Sequence, residues 1–165
     1  MSSPPRCPPY DGAHYDVGDS IGYRLNFLMS SIRREVELRM AEHGLTDAQW
    51  KPLWLVKVGR ASTAIELARI VGIDTGAVTR MLDRLAAKGL LERVRSETDR
   101  RVVHLRLTPA GDEAAAMVPH VLAAVNNDFL RGFDEDEFKQ LRQMLDRMLA
   151  NGDALQAETA SPTRS

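Results

Sequence analysis

Arg80 and Arg84 stand one helical turn apart, and Thr75, Gly76 and Thr79 precede them in the stretch from Val71 to Lys88. A guanidinium can make a two-pronged contact with guanine, and a threonine can reach a phosphate or a thymine methyl. A glycine lets another backbone come close. On a helix starting at Asp74, these residues and Asp83 fall on one arc, while Ala77, Val78, Met81, Leu82 and Leu85 fall on the other. The apolar arc packs on a domain. The other arc is small, polar and basic where a merely solvated helix would carry Glu and Lys, and it suits a nucleic-acid groove. For Arg84 the competing reading is a surface ion pair with Asp83 or Glu92.

A second basic set is Arg95, just before the polar run from Ser96 to Arg101, with Arg100 and Arg101 at the end of that run. Ser62 and Thr63 open the helix before the arginine-bearing one, where they could take a phosphate on backbone N–H groups or simply cap the helix. The two tryptophans, Trp50 and Trp54, lie one turn apart on a third segment. They suit either a flat apolar slot or plain core packing.

The elements that must hold these groups are legible in turn. Residues 1–9 hold four prolines and read as an extended arm, continued to residue 19 by Tyr10, His14 and Tyr15, which are odd in a free tail and should dock on something, such as a second subunit. Residues 20–43 read as a long helix, with Ile21, Leu25, Leu28, Ile32, Val36 and Met40 at spacings of three and four. Thr46 to Gln49 is a capping-box spacing that opens a helix through about Val58, and Thr63 to Glu66 is another. Gly72 and the N-cap Asp74 then make a tight turn into the arginine-bearing helix, which completes a helix-turn-helix. After Gly89 the apolar period changes from about 3.6 to 2. Two short strands flank the charged tip, giving a β-hairpin wing. Thr108 and Pro109 restart helix through Leu130, a last helix begins at Asp134, and Asn151 onward should fray. The expected division is an arm over 1–19, dimerisation helices over 20–45 and 109–150, a DNA-binding lobe over 46–108 and a flexible tail over 151–165. The fold class is mainly α with a small hairpin (α+β).

The formal net charge is −1, yet residues 61–108 carry nine basic and six acidic side chains, which leaves the remainder at −4. A basic centre between acidic ends fits one DNA-facing lobe. Cys7 is the only cysteine, so no intrachain disulfide forms, and a thiol-based oxidation sensor built on Cys7 is the alternative mechanism. His14, His43, His104 and His120 are scattered without metal-ligand spacing. The chain has no membrane-length apolar run and no signal-peptide core, which points to the cytoplasm. No phosphate-binding glycine loop, G-x-S-x-G or H-E-x-x-H occurs, so an enzyme is not expected, nor any catalytic residue, metal or cofactor. A helical interaction module that had lost DNA binding would have little reason to keep Arg80, Arg100 and Arg101 together.

The run E-T-D-R-R-V-V-H-L-R-L-T-P-A-G from Glu97 to Gly111, following the helix-turn-helix, resembles the MarR family of transcription regulators. The resemblance extends back through G-L-T-D-A-Q-W at residues 44–50 and covers roughly residues 20–150. It implies a homodimeric winged helix-turn-helix protein, triangular, with the two chain ends interlocked as the dimer interface. It further implies binding to double-stranded operator DNA, with Asp99 holding an arginine in shape while Arg100 or Arg101 enters the minor groove. Many members are repressors released by small aromatic acids or phenols, so such an effector is expected here. The family's pocket lies between dimerisation helices and winged lobe. Trp50 and Trp54 would form its floor, Tyr23, Phe27, Ser30 and Arg34 would share a stripe facing it or the partner, and Met81 would lie behind the recognition helix.

Overall fold

The computed structural model describes residues 10–99 and 102–160. Eight regular elements follow two short 3-10 turns: α1 (Ile21–Glu42), α2 (Asp47–Lys57), α3 (Ala64–Val71), α4 (Thr75–Ala87), β1 (Leu91–Arg95), β2 (Val103–Leu107), α5 (Pro109–Phe129) and α6 (Glu135–Ala160). The chain divides into two compact units, one to Val125 and one from Asn126.

The core lies in the first unit. Met40, Leu53, Leu67, Val78, Leu82, Leu85, Leu91, Ala115, Val118 and Val125 are all but inaccessible to solvent. The apolar arc read from the sequence is therefore the buried face of α4, since Val78, Met81, Leu82 and Leu85 are its buried residues. Each α4 neighbour is closed by its own cap. Thr63 and Glu66 form the reciprocal box at the start of α3, Gly72 ends α3 at φ +73°, and the Asp74 carboxylate accepts the Ala77 N–H at 2.9 Å. A residue with a β carbon is strained at that φ, so glycine suits the turn.

β1 and β2 pair antiparallel, Leu91 opposite Leu107 and Arg95 opposite Val103. The hairpin is tied to the helix-turn-helix by an isolated bridge between Thr63 and His104, where the Leu105 N–H donates to the Ser62 carbonyl at 2.8 Å. The base of the wing is thus fastened to the start of α3.

Tyr10, which a free tail would waste, is used within the chain. Its hydroxyl accepts the Ile21 N–H at 2.7 Å, capping α1, and its ring meets Tyr15 at a centroid distance of 5.7 Å. Asp11 and Asp16 cap the two 3-10 turns that follow. Residues 10–19 are accordingly turns folded onto the start of α1, where the sequence suggested an arm docking elsewhere. The first half of α1 is exposed, including Tyr23, Phe27, Leu28 and Met29.

In the second unit, α6 opens on a reciprocal box between Asp134 and Glu137 and carries exposed Phe138, Met144, Met148, Leu149 and Leu155. It runs to Ala160, so the tail expected from Asn151 is helical over most of its length. Gly152 is a poor helix residue, but the alanines, leucine and glutamine after it outweigh the cost, and the Thr159 hydroxyl bonds back to the Leu155 carbonyl at 2.7 Å. Among the described residues, no helix is long and apolar enough to cross a membrane.

Candidate nucleic-acid interface

α4 presents Thr75, Gly76, Thr79, Arg80, Asp83 and Arg84 to solvent along one side, opposite its buried arc. Thr79 donates its hydroxyl to the Thr75 carbonyl at 2.8 Å. Arg80 and Arg84 make no ion pair among the described residues. The pairing of Arg84 with Asp83 or Glu92, weighed above, is not the one found. Asp83 pairs with Arg93 at 2.7 Å, and Glu92 faces Arg106 at 3.9 Å. Two cations on the recognition arc are left to meet an external acceptor.

Arg93 is the residue that sequence reasoning passed over. Its guanidinium also donates to the Thr79 carbonyl at 3.3 Å, so it bridges two successive turns of α4 from β1. A signal was present: Arg93 shares a strand face with Leu91, which is buried against the lobe. A cation on an inward face calls for an acid on the element it meets.

Ser62 and Thr63 cap rather than wait for an anion. The Glu66 carboxylate accepts from the Ser62 N–H at 2.7 Å, the Ser62 hydroxyl at 2.9 Å and the Thr63 N–H at 3.1 Å. These bonds, the Ser62 backbone one foremost, hold the Glu66 carboxyl below the ordinary glutamate range. Of the two roles open to Ser62 and Thr63 in the sequence, the backbone donors are occupied by the cap, and a carboxylate beside them opposes a phosphate.

In the wing, Arg95 is exposed at the end of β1. The tip is closed by the Ser96 N–H to the Val102 carbonyl and the Val102 N–H to the Asp99 carbonyl, both 2.9 Å. The Ser96 hydroxyl oxygen accepts the Thr98 and Asp99 N–H groups at 3.3 Å. Asp99 is exposed at this closed tip, while Arg100 and Arg101 lie outside the described residues, as does Cys7.

The tryptophans meet a pocket of about 340 Å³ lined by Trp50, Lys51, Trp54, Leu55, Ile70 and Val71, between α2 and the end of α3. Trp50 is buried and its indole N–H has no partner among the described residues, whereas Trp54 is half-buried. Lys51 sits 5.4 Å from the Trp50 ring centroid and pairs with Asp47 at 2.7 Å. The expected companions do not join them. Tyr23, Phe27, Ser30 and Arg34 are exposed along α1, whose buried residues, Val36 and Met40, come after them. Met81 is buried on the inner face of α4 and is not among the lining residues. The pocket's cation is Lys51, not Arg34.

A helix-turn-helix with its wing fastened beside it, and a basic arc exposed on the second helix, defines a winged helix-turn-helix protein. A sequence profile of the MarR family matches residues 45–103. The multiple antibiotic resistance protein MarR of Escherichia coli is 31% identical over 106 residues, covering 64% of this chain and 74% of that protein. Its counterpart from Salmonella typhimurium is 42% identical over 67 residues, 41% of this chain and 46% of that one. The crystal structure of a mutant MarR from Escherichia coli complexed with operator DNA aligns with a TM-score of 0.68 at 27% identity, covering 82% of this chain and 99% of that chain. The chain belongs to the MarR family, and is a DNA-binding transcription regulator of that family.

Proposed function

We propose that this regulator is a repressor that binds a pseudo-palindromic operator as a homodimer and leaves it when a small aromatic acid or phenol binds. The observation that carries the DNA-binding geometry is the arc of α4, where Arg80 and Arg84 have no ion pair among the described residues and stand beside Thr75, Gly76 and Thr79. In this reading α4 enters the major groove. Arg80 reads a base, Arg84 and Thr75 reach bases or phosphates, and Gly76 admits the backbone closely. Arg95 and the tip arginines Arg100 and Arg101, the latter two steadied by Asp99, approach the minor groove, where narrow A·T-rich stretches concentrate negative potential.

Dimerisation is supported by apolar surface that neither unit covers by itself: Tyr23, Phe27 and Met29 on α1, and Met144, Met148 and Leu149 on α6. A two-fold dimer would set its recognition helices about 34–36 Å apart, one turn of DNA. In this reading the protein works in the cytoplasm, with the DNA it binds. The effector reading rests on the pocket at Trp50 and Trp54, whose size of about 340 Å³ is at the small end for ligand sites.

The test is fluorescence anisotropy with palindromic promoter fragments over a range of salt. Several arginine–phosphate contacts displace counterions, so log affinity should fall steeply and linearly with log salt. Weak binding with a flat salt dependence on every fragment would overturn the proposed docking.

A further inference from the structure

We propose that Arg93 is a positioning residue for DNA recognition, one that withdraws the carboxylate of Asp83 from the recognition arc and so keeps Arg80 and Arg84 available. This rests on the reading that α4 is the element that meets DNA.

Asp83 is the only acid on the exposed arc of α4 beyond its N-cap. It lies three residues after Arg80 and directly before Arg84. In a helix, residues three and four apart are neighbours, so an unengaged Asp83 has a guanidinium within reach at Arg80. Either result would harm DNA binding. Asp83 would capture a base-reading arginine, or its free charge would face the phosphates.

The structure gives Asp83 a different partner. Arg93 reaches from β1 and holds Asp83 Oδ1 at 2.7 Å, with a second prong on the Thr79 carbonyl at 3.3 Å. Thr79 and Asp83 are one turn apart, so a planar guanidinium fixed to both also resists rotation of α4 about its axis. The pair is partly shielded, with side-chain exposures of 35% for Arg93 and 56% for Asp83. A pair of this kind does more to specify direction than to stabilise the fold. The cation neutralises Asp83 on the side of the wing and leaves the outer side of the arc to Arg80 and Arg84.

The experiment compares wild type, Arg80→Ala, Arg93→Met, Asp83→Asn and the double variant Asp83→Asn/Arg93→Met, as full-length proteins, against one operator over a salt series, with melting temperatures alongside. Arg93→Met should bind about tenfold more weakly, and the double variant should regain most of that affinity because the competing carboxylate has gone. A structural role alone would lower the melting temperature without this rescue by the second substitution, and would overturn the proposal. So would loss in Arg93→Met that Asp83→Asn does not restore, with a salt slope reduced by about one, since Arg93 would then be a phosphate contact. Unchanged affinity in Arg93→Met overturns it too. If Arg93→Met fails to fold, the double variant carries the test: near-wild-type affinity supports the proposal, and a tenfold loss rejects it. Failure of the underlying reading looks different, because Arg80→Ala would then bind as wild type does.

Discussion

Gly111, in the first turn of α5, lies against the Leu90 carbonyl so closely that a β carbon at residue 111 would be 2.7 Å from the carbonyl carbon and closer still to its oxygen. Thr108 completes the joint. Its hydroxyl donates to the Gly89 carbonyl at 2.6 Å and accepts the Gly111 N–H at 3.0 Å, while the Thr108 N–H donates to Leu90. The Leu-Thr-x-x-Gly pattern at residues 107–111 is thus a splice between the end of α4, the wing and α5. Since the obstacle is backbone, Gly111→Ala should destabilise the fold by about 2–4 kcal/mol in urea unfolding, despite alanine's better helix propensity. A neutral or stabilising result would mean that α5 can pull away from Leu90 without cost.

Glu66 makes the helix-turn-helix sensitive to acid. Its folded pKa is depressed by the Ser62 and Thr63 donors, so its contribution is fully present above the ordinary glutamate pKa. It is lost as pH falls from there through the depressed folded value. Melting temperature measured against pH should therefore fall across this acid window, and Glu66→Gln should flatten that part of the profile. It should also melt below wild type at neutral pH and converge with it in acid. Parallel profiles for the two proteins would remove Glu66 as the titrating cap.

Much of this was legible in residues alone, for a physical reason. Periodicity and caps are local, so the buried arc of α4, the boxes at Thr46 and Thr63, the N-cap Asp74 and the presence of a hairpin could be read directly. What crosses between elements could not. In the sequence Arg93 is one of nine basic side chains in residues 61–108, because its partner Asp83 is brought opposite only by the turn at Gly89. For Tyr23, Phe27, Ser30 and Arg34 the sequence leaves open the Trp50 pocket or the partner, because helical spacing shows which residues share a face, not what that face meets. Ile70 and Val71 line the pocket because α3 ends beside α2, a crossing that no spacing encodes.

Arg80 and the tip arginines should fail differently. Arg80→Ala should cost about 1–3 kcal/mol of operator binding and relax base choice within the half-site, as the loss of a two-pronged guanine contact would. Arg101→Ala should weaken binding mainly at A·T-rich flanks. Selection from randomised half-sites with each variant checks both. An unchanged preference in Arg80→Ala would place α4 elsewhere on the duplex.

Phe27 is 67% exposed on α1. A large aromatic left so open is a candidate for a covered surface. Phe27→Glu should shift sedimentation from dimer toward monomer at micromolar concentration and weaken operator binding in step. A stable dimer with full affinity would take α1 out of the interface.

The effector prediction follows from where Trp50 and Trp54 sit. They lie on α2, beside the end of α3, so anything wedged between them bears on the helix that leads through Gly72 into α4. An aromatic ring suits the apolar walls of Trp54, Leu55, Ile70 and Val71. Lys51 is the one cation there, but it is already held by Asp47. A carboxylate must compete with Asp47 for it, whereas a phenolic hydroxyl need not. Weakening operator binding a hundredfold requires about 2.7 kcal/mol of coupling, and by linkage the effector must bind the DNA complex a hundredfold less well than free protein. Titration of salicylate and of hydroxybenzoates, followed by tryptophan fluorescence with and without operator, measures both sides of that cycle. Quenching should be strong in free protein and shifted to higher ligand concentration with operator present. Lys51→Met should weaken the acids more than the neutral phenols. Equal quenching in both states would mean binding without coupling, and no quenching at all would return Trp50 and Trp54 to the core and put the sensor elsewhere.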